Sequence, residues 1–269
     1  MPISTIELVA PIIRNAKNIV VFTGAGMSAE SNIPTFRDDD GFWKRFPVDQ
    51  FATWQGISRT AFRRPAALID FIHEVISPIA VAKPNAGHLA IERLEHHKPV
   101  SVITQNIDGL HQAAGNTVVH EIHGSLFEVV SLKGRFRNLV SRVQLQRIAK
   151  RIHQSKRGPL KLARLAWAIR PWLGVGVRGL HRPNLVLFGD ALAEPDWQMS
   201  CEAVTNCDCL IKIGCSGTVY PAAALPAEAK ATGATIVAID PRPTAADHWL
   251  QGPAAEVLPQ LIDKATAAP

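Results

Sequence analysis

The chain has 269 residues, of which 47% are hydrophobic and 19% charged. That composition supports one large packed domain or two modest ones, and it excludes a disordered, collagen-like or disulfide-scaffold chain. The net charge of +6 suggests a mildly basic, nucleic-acid-binding protein only if it is spread evenly, and it is not.

Residues 1–19 have no apolar run behind a basic start, so no signal peptide is expected. Thr5 to Lys17 reads as a helix with Ile6, Val9, Ile12 and Ile13 on one face. Ile19 to Phe22 is a short apolar run without alternation, as in a parallel strand covered on both faces. Similar runs recur at Val100 to Ile103, Leu185 to Leu187, Leu210 to Ile213 and Thr235 to Ile239. Helical patterns such as Gly87 to His96 and Ala222 to Thr232 lie between several of them. The alternation predicts an α/β fold with a Rossmann-like, doubly wound parallel sheet.

Two segments interrupt it. Asp38 to Lys83 is helical and aromatic, without a strand. Glu128 to Asp190 encloses fourteen Lys or Arg, from Lys133 to Arg182, and no acidic residue. The rest of the chain holds 15 basic residues against 23 acidic ones, a net of −8. Within the basic segment, residues 139–152 and 160–173 carry two amphipathic helical patterns separated by Gly158-Pro159. The two interruptions are read as insertions forming a second, smaller, mainly helical domain. The expected division is residues 1–37, 84–128 and 184–269 for the nucleotide-binding domain, and 38–83 and 129–183 for the small one. No membrane span is expected, because the most apolar stretch, Leu165 to Val177, is broken by Arg170, Pro171 and glycines. Cys201, Cys207, Cys209 and Cys215 fit buried thiols in a reducing cytoplasm better than bridges.

Thr23-Gly24-Ala25-Gly26-Met27-Ser28 follows the first strand, where glycines let backbone approach a pyrophosphate and a following helix offers free N–H groups. The third glycine of the dehydrogenase fingerprint would fall at Ala29, so that pattern fails. The polar run to Pro34, Phe36 and Arg37 suggests a lid. Thr104-Gln105-Asn106-Ile107-Asp108 ends the second strong strand, and the carboxyl ends of parallel strands are where such sheets bind ligands. His123 is followed by Gly124, one of ten histidines that composition alone does not single out.

These motifs, with Phe188-Gly189-Asp190 and Gly214-Cys215-Ser216, stand in the order found in sirtuins. The chain resembles that family of NAD-dependent protein deacylases along nearly its whole length. The resemblance implies that Gly24, Ala25, Gly26 and Ser28 belong to the NAD pyrophosphate cradle, and Phe36 and Arg37 to a lid over the nicotinamide ribose. It implies that Gln105 and Asn106 orient that ribose and that Asp108 holds the carboxamide. Gly214, Cys215, Ser216 and Asp240 would hold the adenosine half. Asp240 would disfavour a 2′-phosphate, and so NADP. His123 would be the general base, and a histidine, with an ordinary pKa near ~6.5, can take a ribose hydroxyl proton at neutral pH. Asn106 and Asp108 would share the catalytic work, and Phe188, Gly189 and Asp190 would add a substrate peptide as a strand.

The chain departs from the family at the structural zinc. The four ligand positions fall at Ser131, Gly134 and near Gly174 and Val177, none of them a ligand type, so no zinc is expected. Burial of Leu139, Val143, Ile148, Ile152, Leu162, Leu165 and Trp167 is expected to replace it. The positions that recognise acidic acyl groups in some sirtuins are Ile72 and Val75 here, which favours a neutral acyl group. Two alternatives stand beside the deacylase. One is a sirtuin-fold NAD hydrolase or ADP-ribosyltransferase. The other is a non-enzymatic module binding NAD, with nucleic acid or another acidic partner on residues 133–182.

Overall fold

A computed structural model describes residues 4–35, 42–131, 136–156, 160–176 and 179–267. The side chains of 136, 137, 174–176, 179 and 180 are outside that description. Ten strands run in chain order through the described residues: β1 (Ile19–Thr23), β2 (Val100–Thr104), β3 (Val119–Glu121), β4 (Gly124–Ser131), β5 (Phe136–Leu139), β6 (Gly174–Gly176), β7 (Gly179–Leu185), β8 (Cys209–Ile213), β9 (Thr235–Ile239) and β10 (His248–Leu250). The chain divides into two compact units. The first comprises Met1–Thr35, Lys83–Ile122 and Ala193–Pro269; the second comprises Phe36–Ala82 and His123–Leu192.

The first unit is built on a six-stranded sheet in the order β10-β9-β8-β1-β2-β3, parallel throughout. Every residue of β1 and β8 is buried, as their unalternating apolar sequence requires. Val21, Val102, Ile211 and Val237 pack on one face with the helices Ile6–Asn15, Ala86–Glu95 and Ala254–Thr266. Val20, Phe22, Leu210 and Ile236 pack on the other with Val204 of Asp196–Asn206 and Leu225 and Ala229 of Leu225–Ala231. The strand order reverses between β1 and β8, the switch point at which doubly wound sheets open a crevice.

The second unit carries four helices over 42–81 and a second sheet, β5-β4-β7-β6, antiparallel throughout. The unit is mainly helical, as expected, and carries this small sheet besides. Leu185 to Leu187 is not a parallel strand: Leu185 ends β7 opposite Gly124, and an apolar run alone does not distinguish the two pairings. The two amphipathic patterns do form helices, Arg142–Ser155 and Lys161–Ile169. Leu145, Ile148, Ile152, Leu165 and Ala168 are buried, as is Trp172, whose Nε1 donates to the Leu126 carbonyl at 3.1 Å. Leu139, at the end of β5, and Val143, Leu162 and Trp167, on the outer flanks of the two helices, stay exposed instead of joining this core.

Among the described residues no single helix is long and apolar enough to cross a membrane. The four cysteines are free thiols, three of them buried. Burial pushes the Cys207 and Cys209 thiols up to about 11 and about 12, so both stay protonated at neutral pH.

Candidate active site

The site grows from the carboxyl ends of β1, β2, β8 and β9. After β1 the chain bends through Gly24 into a short 3-10 helix, Ala25–Ser31. After β8 it turns at Gly214, with φ +58°. The two turns touch backbone to backbone: the Gly26 N–H donates to the Gly214 carbonyl at 3.1 Å, and the Gly24 N–H to that of Ile213 at 3.0 Å. A Cβ on Gly26 would lie 2.6 Å from the Gly214 Cα, and one on Gly214 would lie 2.5 Å from the Gly26 Cα. Only glycine on both sides permits that crossing, which places backbone rather than side chains at the switch point.

The 104–108 run joins this floor. The Gln105 N–H donates to the Thr23 carbonyl at 3.0 Å, which keeps the run in line with the sheet. Asn106 donates from Nδ2 to the Gly24 carbonyl at 3.0 Å and to Ser28 Oγ at 3.3 Å. Its own N–H is held by Thr104 Oγ1 at 3.0 Å. Ser28 Oγ in turn donates to Asp108 Oδ2 at 2.7 Å, while Asp108 Oδ1 accepts the Leu110 N–H at 2.9 Å. Asp108 therefore both starts the Leu110–Ala114 helix and belongs to a three-residue polar cluster. Ser28 and Asp108 are buried, and Asn106 is half-buried. A buried carboxylate is costly unless several donors reach it, and Ser28 Oγ and the Leu110 N–H are among those that hold this one.

Cys215 points away from the crevice. Its thiol lies against the carbonyls of Ile213 and Phe22, among the apolar side chains under the sheet, with Gln105 Nε2 at 3.6 Å. What Cys215 offers a ligand is backbone. Ser216 is exposed, and its Oγ accepts from Thr218 Oγ1 at 2.8 Å. Asp240 follows β9, nearly buried, with Oδ1 accepting the Arg242 N–H at 3.0 Å. Phe36 and Arg37 lie outside the described residues.

The cap ahead of the Gly87 to His96 helical pattern supports the glycine turn. Asn85 caps the Ala86–Glu95 helix, accepting from Gly87 and His88, and its Nδ2 donates to the Met27 carbonyl at 2.8 Å. His88 completes the cap by accepting the Asn85 N–H at 3.3 Å. The His88 ring lies 4.8 Å from that of His111, whose Nε2 is 3.1 Å from Thr23 Oγ1 at the end of β1. Burial pushes His88 down to about 2 and His111 down to about 4, so both are neutral at pH 7. Asparagine followed three residues later by a side chain able to reach back is the signal that could have revealed this cap.

His123, Phe188, Gly189 and Asp190 belong to the second unit. His123 is half-buried and its carbonyl accepts the Val186 N–H at 3.0 Å. Gly124 behind it has φ +74°, and a Cβ there would lie 2.0 Å from the Asn184 carbonyl, so a glycine is required next to the histidine. Phe188 to Asp190 is a turn and not the expected extended edge. The Phe188 N–H is taken by the Ala52 carbonyl at 2.9 Å, the Asp190 N–H by that of Leu187 at 3.0 Å, and Gly189 has φ +94°. Asp190 is fixed by Trp54 Nε1, which donates to Oδ2 at 2.8 Å, and by the Leu187 N–H at 3.1 Å.

Among the described residues no three His, Cys, Asp or Glu side chains gather where they could hold a metal ion. Of the four positions matched to zinc ligands, Ser131 is buried in β4, and Gly134 and Val177 lie outside the described residues.

Comparison with known proteins agrees with this geometry. The model of the Sir2 family matches residues 24–221. A protein of Pyrobaculum aerophilum named NAD-dependent protein deacylase 2 is 38% identical over 265 residues, covering 95% of this chain and 94% of its own. A solved Sir2 homologue in complex with NAD is 31% identical, with a TM-score of 0.76 over 98% of this chain and 94% of its own. A Sir2 protein bound to a myristoylated histone peptide is 29% identical, with a TM-score of 0.69 over 97% and 95%. The glycine crossing, the strand-end cluster and these likenesses lead to one conclusion: the chain belongs to the Sir2 family.

Proposed function

We propose that this protein is an NAD-dependent protein lysine deacylase, which moves an acyl group from lysine to ADP-ribose and releases nicotinamide. The observation that carries the reading is the Ser28–Asp108–Asn106 cluster beside the Gly26–Gly214 crossing. The donor set suits NAD. The glycine crossing presents backbone that a pyrophosphate can approach, and the Asp108 carboxylate is an acceptor of the kind a carboxamide N–H takes. Curated and solved relatives named for NAD-dependent deacylation and for NAD support the same cofactor.

When bound, NAD supplies a ribose carbon that becomes electrophilic as nicotinamide departs. Asp108 holds the carboxamide, and Ser28 and Asn106 keep that carboxylate and the ribose in position. Preorganised groups of this kind act where charge develops and need no rearrangement during the reaction. Gln105 assists Asn106 at the ribose. His123 takes the proton from a ribose hydroxyl on an imidazole nitrogen. Gly24, Ala25 and Gly214 to Ser216 would meet the phosphates and adenosine, and the family resemblance assigns Phe36 and Arg37 to the nicotinamide end. Asp240 sets a carboxylate at the adenosine ribose, which selects NAD over NADP. The turn at Phe188, Gly189 and Asp190 receives the peptide through the backbone groups its internal bonds leave over. Ile72 and Val75, both half-buried, suit a neutral acyl chain. The second unit holds together without zinc, and four free thiols fit a reducing compartment such as the cytoplasm.

The test is product analysis by mass spectrometry with NAD and lysine peptides carrying acyl groups of increasing length. Nicotinamide release that requires the peptide, with acyl-ADP-ribose as product, is expected. Equal release without peptide replaces the deacylase with an NAD hydrolase. His123→Ala should remove deacylation while NAD binding, followed by calorimetry, persists.

A further inference from the structure

The Lys161–Ile169 helix is apolar on two sides. Leu165 and Ala168 face inward, next to the Arg142–Ser155 helix. Outward it presents Leu162, 43% exposed, Ala166 and Trp167, 51% exposed, and Leu173 follows just beyond its end, also 43% exposed. A helix bordering water ordinarily places polar residues there. Cations surround these side chains. Arg164 and Arg170 flank Trp167 in sequence, and Arg147, Lys150 and Arg151 line the neighbouring helix. The Arg151 guanidinium sits 4.3 Å from the centre of the Trp167 ring, and that of Arg170 at 5.6 Å. The carboxylates that the Pro65–Val81 helix brings to this unit have cations of their own: Asp70 pairs with Lys156 at 3.0 Å, and Glu74 with Arg45. With no acidic residue from Val129 to Gly189, the local field is positive.

We propose that this face docks on an anionic lipid bilayer surface. Charge complementarity selects a partner dense in phosphate, and the apolar side chains select among such partners. A nucleic-acid backbone engages the lysines and arginines but has no use for Leu162 or Leu173. The boundary between headgroups and acyl chains takes both sets: Arg and Lys meet lipid phosphates, Leu enters the acyl region, and Trp sits between. The proposal is independent of the deacylase reading, since it concerns where the protein stands and not what it catalyses.

Vesicle flotation of the full chain tests it, with phosphatidylcholine vesicles made with and without phosphatidylglycerol, and with a DNA duplex as the competing probe. Affinity for the anionic vesicles should exceed that for the neutral ones by about tenfold or more and fall as salt rises. Leu162→Ser and Trp167→Ser should each lower vesicle affinity severalfold, with unchanged thermal melting because both side chains are exposed. Should one variant melt early, the other decides. The proposal is overturned by equal binding to both vesicle types, or by serine variants that float as the parent does. Salt-sensitive binding to the duplex that exceeds vesicle binding and ignores Leu162→Ser also overturns it, and assigns the face to nucleic acid.

Discussion

At the scale of single residues, Gly214 and Gly217 separate two reasons for a glycine. Both lie in the left-handed region, at φ +58° and +69°. A Cβ on Gly217 meets nothing within 4 Å, whereas one on Gly214 falls 2.6 Å or less from backbone atoms of Gly26 and Met27. Gly217→Ala should therefore cost only the conformational strain, ~1–2 kcal/mol. Gly214→Ala has to push two turns apart as well, and should lose several kcal/mol and most NAD binding. Urea unfolding of the pair reads the difference directly; equal midpoints would remove the close approach from the account. The same logic applies to Ser28, whose hydroxyl supplies one of the bonds holding Asp108. Ser28→Ala leaves a buried carboxylate oxygen short of a donor, at ~1–3 kcal/mol, and should weaken deacylation more than it weakens peptide binding. Steady-state kinetics with a varied peptide distinguishes the two effects.

At the scale of elements, the buried imidazoles of His88 and His111 tie the start of the Ala86–Glu95 helix to the end of β1. Both are neutral when folded, at about 2 and about 4, whereas in the unfolded chain they titrate near ~6.5. The stability they allow is complete above that unfolded value. As pH falls below it, the unfolded chain takes up protons that the folded one refuses, and stability drops toward the folded pKa values. Between pH 7 and 5 the loss is ~2 kcal/mol for each imidazole, read from urea midpoints at the two pH values. His111→Asn should flatten the slope; an unchanged slope assigns the pH dependence to other groups. Neither histidine was legible in the sequence as a buried group, because nothing in composition separates them from the exposed His96 and His97. The parallel strands were legible because burial on both faces leaves unbroken apolar runs such as Ile19 to Phe22. β3 and β10, three residues each, are too short to leave a pattern. β6 is Gly-Val-Gly and β7 carries His181, Arg182 and Pro183, so the pairing of β7 with β4 and of β6 with β7, not their own alternation, makes them strands. The site followed the same rule: residues at strand ends could be named, but the coupling of Ser28 to Asp108 and the turn at Phe188 arise from contacts between distant segments.

At the scale of the molecule, the second unit is proposed to stand on apolar packing without a metal. Its aromatic cluster joins Phe42, Phe46, Phe51 and Phe71 with ring centres 5.0 to 5.9 Å apart. Its buried apolar side chains also include Leu145, Ile148 and Ile152, on the helix packed between Pro65–Val81 and Lys161–Ile169, with Leu165 and with Trp172 against β4. A large apolar side chain contributes ~1.5–3 kcal/mol on full burial, so each of these residues carries a large fraction of the stability of a marginal unit. Stability of that origin carries a definite signature: it does not respond to chelation and it responds strongly to truncation. Metal analysis of purified protein should find no stoichiometric zinc, and EDTA should leave the melting temperature and the deacylase rate unchanged. Ile152→Ala, which opens a cavity in this core, should cost ~2–5 kcal/mol. Stoichiometric zinc whose removal lowers the melting temperature would show that ligands lie among residues 132–135, 157–159 or 177–178, or outside the segment aligned with the family's zinc site, and that hydrophobic burial is not the sole support of this unit.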